Sequence, residues 1–242
     1  MTAIHSVAGL LSGSTPPITR PPFVTPHHTS SMASLVGGGT GMARPGAVSR
    51  AHRGVLFDEC AEIGVSAPEA LRTPLEDGKI RLARRDGVAR YPASFQLVRP
   101  ANPCPCAPAD PKDCICAAMA KRRYRGKLSG PLLDRVDLRV QMHTERAGAF
   151  AAEEAEPTAR VRELVEAARV AAAQRWQPHG IHTNAEVSGA LLRRKFRPVA
   201  AAMEPLRSAL DRGLLSIRGV DRTLRVADVC RDQAGGVRTK PT

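Results

Sequence analysis

The chain has 242 residues, and its 36 Lys and Arg against 23 Asp and Glu leave a formal charge of +13. That length suits one medium domain, or one domain with a small second one, and 43% hydrophobic with 24% charged residues excludes disorder throughout. No window nears the roughly 18 uninterrupted apolar residues of a membrane span, and no basic stretch precedes an apolar one at the start, where the first Arg is Arg20, so the chain reads as cytoplasmic. Five Phe, two Tyr and one Trp mean a core built from Leu, Val, Ile and Ala. The sign of the charge favours polyanionic partners, nucleic acid or nucleotides.

Residues 1 to 57 contain no Asp or Glu and are rich in Gly, Pro, Ser and Thr, as in Pro16-Pro17, Pro21-Pro22 and Gly37-Gly38-Gly39. Such a stretch is expected to hold little regular structure of its own and to drape over something else. Val55-Leu56-Phe57 then reads as a buried strand with Asp58 and Glu59 at its carboxyl tip. A helix is expected over Ala67 to Leu75. Ile80 to Leu82 and Val88 to Tyr91, separated by Arg85-Asp86-Gly87, read as a β-hairpin with a D-G turn. Phe95 to Val98 is another strand, and it leads into a Cys-rich loop over 103 to 116.

The final third reads as helical. Val161, Leu164, Val165, Ala168 and Ala172 recur at helical spacing, and Pro178-His179-Gly180 stops the run after Trp176, a core residue by this reading. A second helix is expected from Asn184, as N-cap, with Arg193, Arg194 and Lys195 on its face. A last helix follows Ser216, with Val220, Leu224 and Ala227 on one side. Pro198 and Pro205 leave the segment between them open. The order suggests an α/β domain followed by an all-α one.

Five segments carry a more specific signal: RPPFVTPHHTSS (20 to 31), LVGGG (35 to 39), RPGAVSRAHRGVLFDE (44 to 59), FQLVRPANPCPC (95 to 106) and RRYRGKLSGPLLDRVDL (122 to 138). In this order and spacing the chain resembles the magnesium-chelatase-like AAA+ ATPases of the ComM (YifB) group, over about Ile4 to Ala227. The resemblance implies an α/β, P-loop NTPase-like partial AAA+ core with a β-hairpin insertion over residues 1 to 146, then an all-α lid over 158 to 242. It also implies ATP and Mg²⁺ as cofactors, a homo-oligomeric ring and DNA, single-stranded or branched, as partner.

Roles follow residue by residue. In phosphoryl transfer an acidic residue at a strand tip helps hold Mg²⁺ and a second can orient the attacking water; Asp58 and Glu59 would take those roles, the alternative being an acidic pair that opens a loop. Asn102 looks like the sensor-1 residue, or else a turn-forming Asn before Pro. Arg135 resembles the arginine finger that enters a neighbour's site, or else a solvated Arg paired with Asp137. Arg218 resembles sensor 2 in the lid, with Arg222 as its competitor. On the hairpin, Lys79, Arg81, Arg84 and Arg85, with Arg90 nearby, would neutralise DNA phosphates without reading bases, unless the hairpin is only a solvated basic one.

Cys104-x-Cys106 and Cys114-x-Cys116, with seven residues between the pairs, could close a tetrahedral Zn²⁺ site. The usual zinc-ribbon pair is CxxC, and free or redox-labile thiols are the alternative. Cys60 and Cys230 have no obvious partners.

A phosphate-cradling G-x-x-x-x-G-K-[ST] is absent: Gly78-Lys79 is followed by Ile80 and Gly126-Lys127 by Leu128, and neither pair has Gly five positions before its own Gly. The family carries that Walker A loop upstream. Gly54-Val55-Leu56-Phe57-Asp58-Glu59 is also one apolar residue shorter than the family's GVLFLDE, which can turn a carboxylate to the wrong face. Arg99-Pro100 brings a proline to a strand end, and the polar run after Ala227 suggests a degraded terminus. The chain therefore reads as the truncated C-terminal part of an ATP-driven hexameric DNA helicase, inactive as an ATPase in this form. The alternatives are a non-enzymatic basic fragment that binds nucleic acid or a paralogue, and a magnesium-chelatase-type subunit.

Overall fold

The computed structural model describes residues 1–27, 29–39, 43–57, 70–84, 87–108, 110–126, 130–142, 156–196 and 198–233. The chain is mixed α/β and divides into two compact units, Met1–Val136 and Asp137–Thr242.

The first unit is built on a three-stranded sheet in the order β1-β4-β7, all parallel. Its central strand is β4 (Val55–Phe57), flanked by β1 (Phe23–Val24) and β7 (Gln96–Val98). The register is Phe23↔Val55 on one side and Val55↔Gln96, Leu56↔Leu97, Phe57↔Val98 on the other. Leu56 is fully buried, as a short apolar run at the centre of a parallel sheet requires. The expected strands at 55–57 and 95–98 are therefore present. Pro100 falls beyond the end of β7, so it removes no ladder donor.

The acid-free segment behaves differently from its composition. It contributes the short helices α1 (Thr2–Val7), α2 (Met32–Val36) and α3 (Ala47–Arg50), and β2 (Gly37–Gly38) pairs antiparallel with β3 (Arg44–Pro45). Leu35, Ala47, Val48 and Ala51 join Leu56, Leu71, Ile80, Ala93 and Leu132 in one buried cluster. The segment is thus a wall of the core and not a loose cover. Its glycines permit the close packing: a Cβ on Gly54 would stand 2.0 Å from the Pro22 carbonyl oxygen, and one on Gly46 would stand 2.4 Å from the Gly37 nitrogen. Composition hid this because small residues bring backbones together without any hydrophobic periodicity.

Helix α4 (Arg72–Asp77) ends at Gly78, whose φ of 64° gives the left-handed cap that only glycine adopts without cost. It overlaps the expected 67–75, within which Ala70 is helical too, and residues 67–69 lie outside the described residues. The hairpin follows at once as β5 (Lys79–Arg84) and β6 (Gly87–Pro92), six residues in each strand and longer than the apolar pattern alone indicated. Its base is closed by the Ala93 amide donating to the Gly78 carbonyl at 2.7 Å. Ile80 is buried and Leu82 packs against the core. After the Cys-rich loop come α5 (Ala118–Gly126) and α6 (Gly130–Leu133).

The second unit is helical: α7 (Thr158–Trp176), α8 (Gly189–Arg194), α9 (Ala200–Asp211) and α10 (Ile217–Gln233). Trp176 is fully buried with Ala172, Val187, Leu192, Met203, Val220 and Leu224. Its ring meets Phe196 edge-on at 4.7 Å, and its indole N–H donates to Asn184 Oδ1 at 2.5 Å. Asn184 is consequently no N-cap. It opens a 3-10 turn, and Ser188 caps α8 by accepting from the Leu191 amide at 3.2 Å. Along α7 only Ala168, Ala172 and Trp176 are buried; Val161 and Val165 are exposed, because the first two turns extend past the core that the later turns fill. The segment left open by sequence holds α9, with Pro205 inside it. No helix of the described residues is long and apolar enough to cross a membrane.

Candidate functional site

Because β4 and β7 are parallel neighbours, the chain leaves both at the same edge of the sheet. Open α/β sheets bind ligands beyond the carboxyl ends of their strands. Asp58 and Glu59 follow β4 in sequence and lie outside the described residues, as does the face on which each carboxylate falls. Asn102, four residues beyond Val98, is exposed. The strands that precede the two expected hydrolysis segments in sequence, β4 before 58–59 and β7 before 102, are therefore adjacent.

Arg135 follows α6, whose Leu132 is buried in the core. Its guanidinium lies 2.9 Å from Glu76 Oε1 on α4, and its side chain is 13% exposed. The carboxylate beside it is thus Glu76, where the solvated alternative had named Asp137. In the second unit Arg218 is exposed in the first turn of α10. Arg222, one turn on, is half-buried, and one terminal guanidinium nitrogen is shut away without a hydrogen-bond partner among the described residues. Arg193, expected on the basic face of its helix, is exposed and also pairs with Asp221, which ties α8 to α10.

On the hairpin, side chains alternate between faces. Lys79 and Arg81 are exposed on one face, while Ile80 and Leu82 turn inward on the other. Arg84 shares the parity of Ile80 and Leu82 and lies over Gly38, where a Cβ would stand 3.0 Å from its guanidinium. Arg85 lies outside the described residues. The register shows which two of these cations face each other: Arg81 stands directly opposite Arg90, also exposed. Like charges directly opposite destabilise a strand pair.

The four loop cysteines converge. Their Sγ atoms all lie within 4.8 Å of one another, with Cys104 to Cys106 at 3.5 Å, Cys106 to Cys114 at 3.6 Å and Cys114 to Cys104 at 3.4 Å. The turn at Cys104–Ala107 that permits this puts Ala107 at φ 42°, rare for a residue with a side chain. The Cys116 amide donates to the Cys114 sulfur and is the largest of the influences that bring its pKa down to about 6. Burial, then hydrogen bonding with the Cys114 and Cys106 thiols, pushes Cys104 up. The Cys116 side chain, then burial, does the same for Cys106. The Lys121 ammonium on α5 donates to Cys114, which raises the Lys121 pKa in turn.

The family model described as "Magnesium chelatase, subunit ChlI" matches residues 1–150, and the one described as "Magnesium chelatase, subunit ChlI C-terminal" matches residues 155–240. This chain belongs to the ComM/YifB-like magnesium-chelatase family. An uncharacterised protein of Mycobacterium tuberculosis is 79% identical over all 242 residues, which make up 48% of its own length. The competence protein ComM of Haemophilus influenzae is 35% identical over 217 residues, 88% of this chain and 42% of that one. YifB of Salmonella typhimurium is 35% identical over 214 residues, 87% of this chain and 41% of that one. The chain thus spans about half the length of the curated relatives it matches. The mycobacterial alignment covers the polar residues after Ala227 as well.

Proposed function

We propose that this chain is the carboxyl-terminal half of a ComM-type AAA+ motor, an ATP-driven helicase that works as a hexameric ring on DNA. The supporting observation is the parallel pairing of β4 with β7, the strands that precede Asp58-Glu59 and Asn102 in sequence. Asp58 holds Mg²⁺ in this reading, Glu59 orients the attacking water and Asn102 helps position it. Arg135 serves as the finger after exchanging Glu76 for a neighbour's nucleotide, and Arg218, with Arg222 one turn away, contributes from the lid.

The residues present fit only part of ATP and Mg²⁺. They offer the acidic and polar side of a nucleotide site but no G-x-x-x-x-G-K-[ST], so no hydrolysis step is assigned to this chain alone. A phosphate loop sits between a strand and a helix, and its strand needs a sheet to join. Among the described residues β7 is an edge strand. The Gln96 amide already donates to the Gly54 carbonyl at 2.9 Å, so alternation leaves the Leu97 amide directed outward. We assign that edge to the strand carrying the phosphate loop in the longer relatives.

DNA contact falls to the hairpin. Its exposed face holds Arg81 against Arg90, a repulsion that a phosphate between them relieves. The test of this function is MgATP turnover. The isolated chain is expected to hydrolyse no ATP above background, and turnover by it that disappears in Glu59→Gln would overturn the reading.

A further inference from the structure

We propose that Cys104, Cys106, Cys114 and Cys116 form a structural site for a single Zn²⁺ ion that clamps the loop after β7 against α5. The proposal goes beyond the motor reading and stands or falls on the cysteine geometry alone. At a Zn–S distance of about 2.3 Å, four thiolates at the corners of a tetrahedron are roughly 3.8 Å apart. The three measured separations are 3.4 to 3.6 Å and none exceeds 4.8 Å. A disulfide would need about 2.05 Å between two of the sulfurs, and all four cysteines are free.

The size of the cluster selects the metal class. Iron–sulfur clusters spread their four thiolates over separate irons, which asks for wider spacing than four sulfurs that are all mutual neighbours. Magnesium and calcium take oxygen ligands. A compact S₄ set is therefore suited to one tetrahedral ion of zinc type.

The surroundings are built for thiolates. The Ala107 amide donates to the Cys104 carbonyl at 3.2 Å and closes the turn that carries the first two ligands, the kind of outer-shell hydrogen bond that orients metal ligands. Four thiolates on Zn²⁺ leave a net charge of −2. Arg125 of α5 donates through Nε to the Pro103 carbonyl at 3.4 Å, so α5 brings a cation beside the first ligand. Since Asn102 precedes the first ligand by two residues, the metal also fixes the loop that carries it.

The experiment uses the 242-residue chain, purified under reducing conditions without chelator. Elemental analysis is expected to give about one zinc per chain, lost in Cys104→Ser and in Cys116→Ser and retained in Cys230→Ser, whose residue is exposed in the other unit. Because a serine variant can lose zinc by misfolding, wild-type protein is also stripped with chelator and titrated with Co²⁺. The expected result is the absorption of tetrahedral cobalt on thiolates, saturating at one equivalent and displaced by Zn²⁺. Metal-free protein whose four thiols react freely, a disulfide within the cluster, or iron in place of zinc would each overturn the proposal.

Discussion

Replacing Arg81 by Glu is expected to weaken DNA binding and stabilise the hairpin at the same time. Three cations, Lys79, Arg81 and Arg90, occupy its exposed face, with Arg81 directly opposite Arg90. If each neutralises one phosphate of a single strand, log K falls against log salt with a slope of about −2.1, so raising salt from about 50 to about 200 mM costs roughly 18-fold in affinity. The Arg81→Glu change removes one contact, and its carboxylate engages Arg90 across the strands, leaving Lys79 and a slope of about −0.7, or roughly threefold over the same range. The same change turns a like-charge pair into an opposite one, worth about 0.2–1 kcal/mol to the sheet, or about 1–3 °C in Tm. The assay is fluorescence anisotropy with labelled oligonucleotides at several salt concentrations, beside thermal melts of both proteins. An unchanged slope would show that this face does not touch DNA, and a lower Tm would show that the two arginines do not repel.

In the second unit, Asn184→Ala leaves the buried indole N–H of Trp176 without its acceptor and is expected to cost about 1–3 kcal/mol. Denaturant unfolding followed by the fluorescence of Trp176, the single Trp of the chain, measures it, and a loss under a few tenths would mean the bond contributes little. His52 supplies a pH dependence in the first unit. Its ring Nδ1 accepts from the Ser94 amide at 3.1 Å, and burial, then nearby positive charge, holds its pKa below the usual 6.5. The unfolded chain takes up the proton first, so this contribution is complete above about 6.5 and is lost as pH falls below it. The gap in denaturation midpoint between wild type and His52→Gln should therefore narrow from pH 8 to pH 5, and a widening gap would contradict the assignment.

The sequence was most informative where a pattern was tied to chemistry. Val55-Leu56-Phe57 and Phe95–Val98 announced strands through their apolar runs, and the D-G turn marked the hairpin between them. The spacing of the four cysteines pointed to one site, although CxC pairs meet only because Ala107 accepts a positive φ, which no residue type advertises. Capping was harder to read: Asn184 and Ser188 are both good N-cap residues, and the choice between them was made by the indole of Trp176 eight positions earlier. The acid-free first 57 residues were misleading for a related reason. Their helices are four to six residues long, too short to show a period, and Gly46 and Gly54 act through close approaches of the backbone that leave no hydrophobic pattern. Arg135 offered no signal of Glu76, since α4 lies about sixty residues earlier and only packing brings the two together.

The most direct measurement of the central claim is MgATP hydrolysis, with and without DNA, by this chain and by the same chain joined to the preceding half of its mycobacterial relative. The account predicts no turnover above background for the isolated chain. It predicts DNA-stimulated turnover for the joined one, abolished by Glu59→Gln, together with new hydrogen-exchange protection at the Leu97 amide. A joined protein that hydrolyses no ATP, or one whose hydrolysis survives Glu59→Gln, would contradict it.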